Sequence, residues 1–154
     1  MDKIQNLTKL QTEFIDDPKF VSKLRTKYLG AAAGSEKLYI NIDYVKPGGK
    51  SAKYHSHSHK EEFFAILKGS GLLRYNEEEM QVTTNDFFAK PSGKEIAHQF
   101  INNSDDILII LDCGVQDDND KIYYPDEDVT FIKKEKQAYK GRKPIDSWSS
   151  DPNE

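Results

Sequence analysis

The chain has 154 residues, 36% of them apolar and 31% charged, with a formal net charge of −4 and an isoelectric point near 5.6. This is the size of one domain, with enough apolar material for a single core and too little net charge for a disordered chain. No basic patch stands out, because the lysines at 133–143 are flanked by glutamate and aspartate; a nucleic-acid partner is not expected.

In chain order, residues 1–36 read as an N-terminal arm with a short helix. Asp17-Pro18 offers a cap followed by proline in the first turn, and Phe20, Val21, Leu24 and Tyr28 recur at three-to-four spacing, which predicts a helix over 18–29. Residues 37–132 change character: short runs of Ile, Phe, Tyr and Val alternate with Gly, Pro, Asn and Asp clusters. The expected strands are 37–46, 52–57, 61–68, 71–75, 79–84, 86–90, 97–102, 107–115 and 129–132. So many short strands at this spacing imply an antiparallel sandwich or barrel. Residues 133–154 read as a polar C-terminal tail with Trp148 as its anchor.

Cys113 lies in the apolar run 107–113 and is expected to be a buried strand thiol. A single cysteine fits a reducing compartment. The start of the chain, Met1-Asp2-Lys3-Ile4-Gln5, lacks a signal-peptide pattern, and no apolar run reaches the roughly 18 residues of a membrane span. A cytoplasmic protein without a membrane partner is the expectation.

The chemistry concentrates in the histidines. His55-Ser56-His57-Ser58-His59 holds three of the four. Side chains alternate on a strand, so residues 55 and 57 share a face about 7 Å apart and two imidazoles can converge on one ion. Glu62 opens the next strand and His98 follows the turn Pro91-Ser92-Gly93. An exposed pair on a strand face gives the same spacing; the alternating pair, the neighbouring carboxylate and the distant histidine together favour a metal site. His59, beside lysine and glutamate, reads as a surface residue.

The segment Gly49-(five residues)-His55-Ser56-His57-(four residues)-Glu62-(six residues)-Gly69, followed by Pro91-Ser92-Gly93-(four residues)-His98-(three residues)-Asn102, resembles the two motifs of the cupin superfamily. Two departures occur: Asn85 stands where the second motif opens with glycine, and the Gly93-to-His98 gap is two residues longer than the common form. The stretches Gly30–Leu38, Pro91–Gln99 and Tyr124-Pro125-Asp126 extend the likeness to a subgroup of stand-alone bacterial cupins over about residues 30–132. The resemblance implies an all-β fold, the double-stranded β-helix or antiparallel jelly-roll barrel. It also implies one divalent metal ion on His55, His57, Glu62 and His98, and a homodimer, for which the exposed edges of an open barrel also argue.

Three imidazoles and one carboxylate without thiolate suit Fe, Mn, Ni, Co or Zn. Alternation places Phe64 and Ile66 on the face of Glu62, and Phe100 on that of His98, as substrate-pocket candidates whose alternative is ordinary core packing. No catalytic residue beyond the ligands is distinguished by spacing. Two functions remain open: a metal-dependent enzyme on a small oxygen-bearing metabolite (isomerase, epimerase or dioxygenase type), or a cupin that binds a sugar-like small molecule without turnover.

Overall fold

In the computed structural model, which describes residues 4–153, the N-terminal arm departs from the helical expectation. Asp17 does shape a turn, its carboxylate accepting from the Lys19 N–H at 2.9 Å. The chain then extends into β1 (Leu24–Tyr28), which pairs antiparallel with β2 (Leu38–Val45), Leu24 opposite Val45 and Tyr28 opposite Asn41. Pairing along five residues satisfies backbone groups that an isolated helical turn would leave to water, and it overrides the local periodicity. A short helix is present one step later: α1 (Leu29–Ala33) carries the alanine run and ends at Gly34, whose φ of 81° is the left-handed closure that glycine permits. A single 3₁₀ turn covers Leu7–Lys9.

The expected strands follow with small shifts. They are β3 (Ser56–His57), β4 (Glu62–Lys68), β5 (Ser70–Tyr75), β6 (Glu78–Thr83), β7 (Phe87–Lys90), β8 (His98–Ile101) and β9 (Leu108–Val115). β10 (Lys121–Tyr124) has no counterpart among the expected strands, and β11 (Val129–Ile132) matches its range. Residues 133–154, read as a tail, carry β12 (Gln137–Lys140) and β13 (Lys143–Ile145). Trp148 packs beside them on the cluster of Tyr124, Val129 and Ala138.

All pairings are antiparallel. One sheet runs β1-β2-β9-β4-β7, a second β13-β12-β11-β10-β3, and a third β6-β5-β8. Non-consecutive neighbours of this kind are jelly-roll connectivity, and a fold 45% strand and 5% helix is the all-β barrel that the motifs imply. The main core joins the first and third sheets through Val45, Phe64, Ile66, Leu73, Val82, Phe100, Leu108 and Ile110. Phe64, Ile66 and Phe100, the expected pocket residues, are only 2%, 2% and 1% exposed and pack in this core. Cys113 is half-buried rather than buried: it sits on the outer face of β9, opposite Phe63 of β4 and Ile40 of β2. No helix among the described residues is long and apolar enough to cross a membrane.

Candidate metal centre

Three strands, one from each sheet, and one bridge bring the predicted residues together. Glu62 opens β4 on its inward face, 3% exposed. His98 opens β8, and His55 forms an isolated antiparallel bridge to it, the two backbones exchanging N–H···O bonds of 3.2 and 2.9 Å. The ring centroids of His55 and His98 are 4.9 Å apart, and those of His55 and His57 5.0 Å. His55, Glu62 and His98 offer ligand atoms that all lie within 4.8 Å of one another. His57 stands beside this trio, its Nε2 3.3 Å from Glu62 Oε1. His59 points elsewhere, to the Ser58 hydroxyl, and is exposed.

The tautomers suit a cation. His57 Nδ1 meets Asp120 Oδ2 at 2.6 Å and His55 Nδ1 meets the Lys53 carbonyl at 2.6 Å, so each ring donates through Nδ1 and frees Nε2. His57 Nε2 is buried and makes no hydrogen bond. Such a nitrogen is costly unless something binds it, and a metal ion would. The donor set of His55, Glu62 and His98 therefore fits a divalent ion, with the bare His57 Nε2 beside it.

Charge tuning points the same way. Burial lowers His55 to about 3, with Lys90 and His57 adding to the effect, and burial holds His98 well below its usual value too. Both rings are thus neutral near pH 7, the form that binds metals. Burial alone would raise Glu62, but His57, His98 and Lys90 around it hold it well below the ordinary carboxylate range. Lys90 Nζ lies 2.7 Å from Glu62 Oε2, and burial lowers its own pKa. Tyr39 donates its hydroxyl toward Asp112 (2.7 Å) and Glu62 (3.1 Å), and burial followed by the charge of Asp112 raises it beyond the usual phenol range.

A cavity of about 380 Å³ opens beside His57. Tyr39, Asn41, Lys60, Asp120 and Lys133 help to line it. Lys60 Nζ lies over the Tyr39 ring, 3.8 Å from its centroid, and 3.5 Å from Glu62 Oε1. A different cavity of about 290 Å³, beyond Tyr124, has two ion pairs in its wall, Arg74 with Asp126 and Lys53 with Glu127.

Sequence reading did not single out Asp120 or Lys90. Asp120 ends the acidic turn Asp117-Asp118-Asn119-Asp120, where nothing separates it from its solvated neighbours; only the fold brings it to His57. Lys90 did leave a signal, since alternation in β7 puts it on the inward face with Phe88.

Residues 42–114 match the cupin domain family. A candidate sugar phosphate isomerase from Acidithiobacillus ferrooxidans superposes with a TM-score of 0.72 at 26% identity, over 80% of this chain and 76% of that one. A sugar phosphate isomerase of the cupin superfamily from Silicibacter pomeroyi gives a TM-score of 0.74 at 23% identity, over 91% and 88%. The polyketide cyclase RemF from Streptomyces resistomycificus gives 0.61 at 20% identity, over 75% and 80%. No curated protein matches the chain in sequence.

Proposed function

We propose that this chain, which has a barrel of cupin type and matches the cupin domain family over residues 42–114, is a metal-dependent isomerase or epimerase acting on a small, phosphorylated, polyhydroxylated metabolite. The observation that carries this reading is a convergent histidine and carboxylate centre with a ligand-sized cavity at its edge. His55, His57, Glu62 and His98 hold the ion. When bound, a divalent ion supplies a Lewis acid for adjacent substrate oxygens. The protein does the rest. Lys60 and Lys133, each 3.5 Å from a carboxylate oxygen of Glu62 and Asp118 respectively, give the cavity two cations for an anionic group. The Tyr39 hydroxyl, fixed by two carboxylates, is a hydrogen-bonding group at the rim. The 26% identical relative described as a candidate sugar phosphate isomerase supports the substrate class.

The test is solvent deuterium exchange. Protein loaded with Mn, Co, Ni, Zn or Fe is incubated in D₂O with a panel of aldose and ketose phosphates and followed by NMR. Metal-dependent deuterium incorporation next to the carbonyl, absent in His57→Ala, is the expected result. Binding of sugar phosphates without exchange makes the protein a ligand-binding cupin, and neither binding nor exchange refutes both readings.

Two copies are proposed to pair through the outer face of the first sheet, in a reducing, cytoplasmic setting that the free Cys113 thiol favours. Alternation puts Leu38, Ile40, Phe63, Leu67, Leu111 and Val115 on that face, and Phe87 at its edge is 71% exposed. Charge is confined to its margins, with Lys68 at the end of β4 and Arg25 and Lys27 of β1 over Tyr44. Four strands of this length present ~500 Å² in projection. Side-chain relief brings that toward the ~800 Å² per partner of a standard interface. Phe63→Glu should yield a monomer by analytical ultracentrifugation; a wild-type monomer refutes the pairing.

A further inference from the structure

Lys90 is the last residue of β7, and its side chain is 1% exposed. Its Nζ has three neighbours: Glu62 Oε2 at 2.7 Å, His98 Nδ1 at 2.7 Å and the His55 carbonyl at 3.3 Å. Every one of them belongs to a residue of the metal centre. We infer that Lys90 is a resident cation that competes with the metal ion for the Glu62–His98 pair, weakening ion binding and letting the fold stand without the ion. The inference rests on the reading of His55, His57, Glu62 and His98 as a metal site.

Two observations carry it separately. The first is charge. Glu62 is the one carboxylate in the set, and Lys90 engages its Oε2 while Tyr39 engages its Oε1. A fixed positive charge at this depth repels a dication at close range, and salt does little to screen it. The second is hydrogen-bond direction. An ammonium has donors and no acceptor, so against His98 it can only donate to Nδ1. The hydrogen of the neutral His98 ring then sits on Nε2. His55 and His57 are arranged the opposite way, donating through Nδ1 and leaving Nε2 bare. An ion that recruits His98 through Nε2 must first break its bond with Lys90.

The same contacts explain how Glu62 tolerates burial. A carboxylate 3% exposed is costly without a counter-charge, and Lys90 supplies one whether or not an ion is bound. With that lysine removed, the counter-charge must come from the metal, and folding becomes coupled to metal binding.

The experiment compares the full-length wild type with Lys90→Met and Lys90→Gln at one pH. Co(II) affinity is measured by competition with a chromophoric chelator, and thermal midpoints are recorded with and without chelator. Both variants are expected to bind Co(II) at least tenfold more tightly than wild type and to lose more thermal stability on chelation. A Lys90→Met protein that folds only with the ion is the limiting form of that result. Lys90→Gln keeps donors toward Glu62 without the charge, so the question survives if the methionine variant misfolds. Folded variants with equal or weaker Co(II) affinity overturn the inference and make Lys90 a support for the ligands. A Lys90→Gln chain that stays unfolded even with the ion also overturns it, because Lys90 then holds the fold in a way the ion cannot replace. Absence of binding in wild type and variants alike refutes the metal centre itself, a failure distinct from the other two.

Discussion

Replacing Gly114 with alanine places a methyl group where β9 passes the strand that carries Glu62. In the register of β4 and β9, Gly114 lies opposite Glu62. A Cβ built there falls 2.1 Å from the Glu61 carbonyl oxygen, 2.8 Å from Cε1 of Tyr39 and 3.1 Å from the Cα of Glu62. The first contact is with backbone and roughly 1 Å short of any distance real Cβ atoms adopt, so no rotamer change relieves it. The strands must part, and the Val115 N–H bond to that same Glu61 carbonyl, 3.1 Å long, is the first to suffer. Overpacking at about 1–3 kcal/mol and a lost hydrogen bond at about 1 kcal/mol together give ~3 kcal/mol of destabilisation. Glu62 and Tyr39 move with the strand, so metal affinity should fall as well. Gly141→Ala is the control: nothing lies within 4 Å of its Cβ, and only its φ of 61° opposes the change, at about 1 kcal/mol. Urea denaturation followed by Trp148 fluorescence, with metal content of the same samples, reads both quantities. A Gly114→Ala protein within 1 kcal/mol of Gly141→Ala, with metal content intact, would refute the close strand approach.

Other outcomes follow from the site. His57→Ala should abolish metal retention in purified protein while His59→Ala leaves it unchanged; equal losses would mean the wrong histidine was chosen. Asp120→Asn should reduce metal affinity about 10–100-fold by loosening the His57 ring, checked by chelator competition on protein with a native circular dichroism spectrum. Burial alone would raise the Asp120 carboxyl, but His57 and the backbone N–H groups of His59 and Lys60 bring it from 3.8 to about 2. Its contribution to stability is therefore complete above about pH 4 and lost as the pH falls toward 2. Wild type should lose more stability than Asp120→Asn across that interval, and identical slopes would contradict the assignment. Trp148 meets Tyr124 edge-on with ring centroids 4.5 Å apart, and the Tyr124 ring centroid lies 5.6 Å from that of His55, so Co(II) binding should quench the single tryptophan; unchanged emission at saturation would place the ion elsewhere.

Most of the barrel strands, and the three residues His55, Glu62 and His98 that the fold brings together, were legible in the sequence because each rests on a local rule. Period-two alternation and turn residues mark strands, and the spacing of His55 and His57 is a property of one extended segment. Where two local signals compete, the sequence is ambiguous. Phe20, Val21, Leu24 and Tyr28 carry a helical period, yet β1 forms because β2 is available as a pairing partner. Residues 137–145 are too polar to announce strands, and they become β12 and β13 because β11 offers an edge and Tyr124 and Trp148 a small core. Asp120 and Lys90 are the clearest cases of tertiary decision. Each meets its partner, at 2.6 Å from His57 and 2.7 Å from Glu62, across separations of 63 and 28 residues. Sequence by itself determined which residues alternate inward and which chemistry they bring. Only chain closure decided which buried charges face one another, because those contacts depend on sheet order and strand register and no local spacing encodes them.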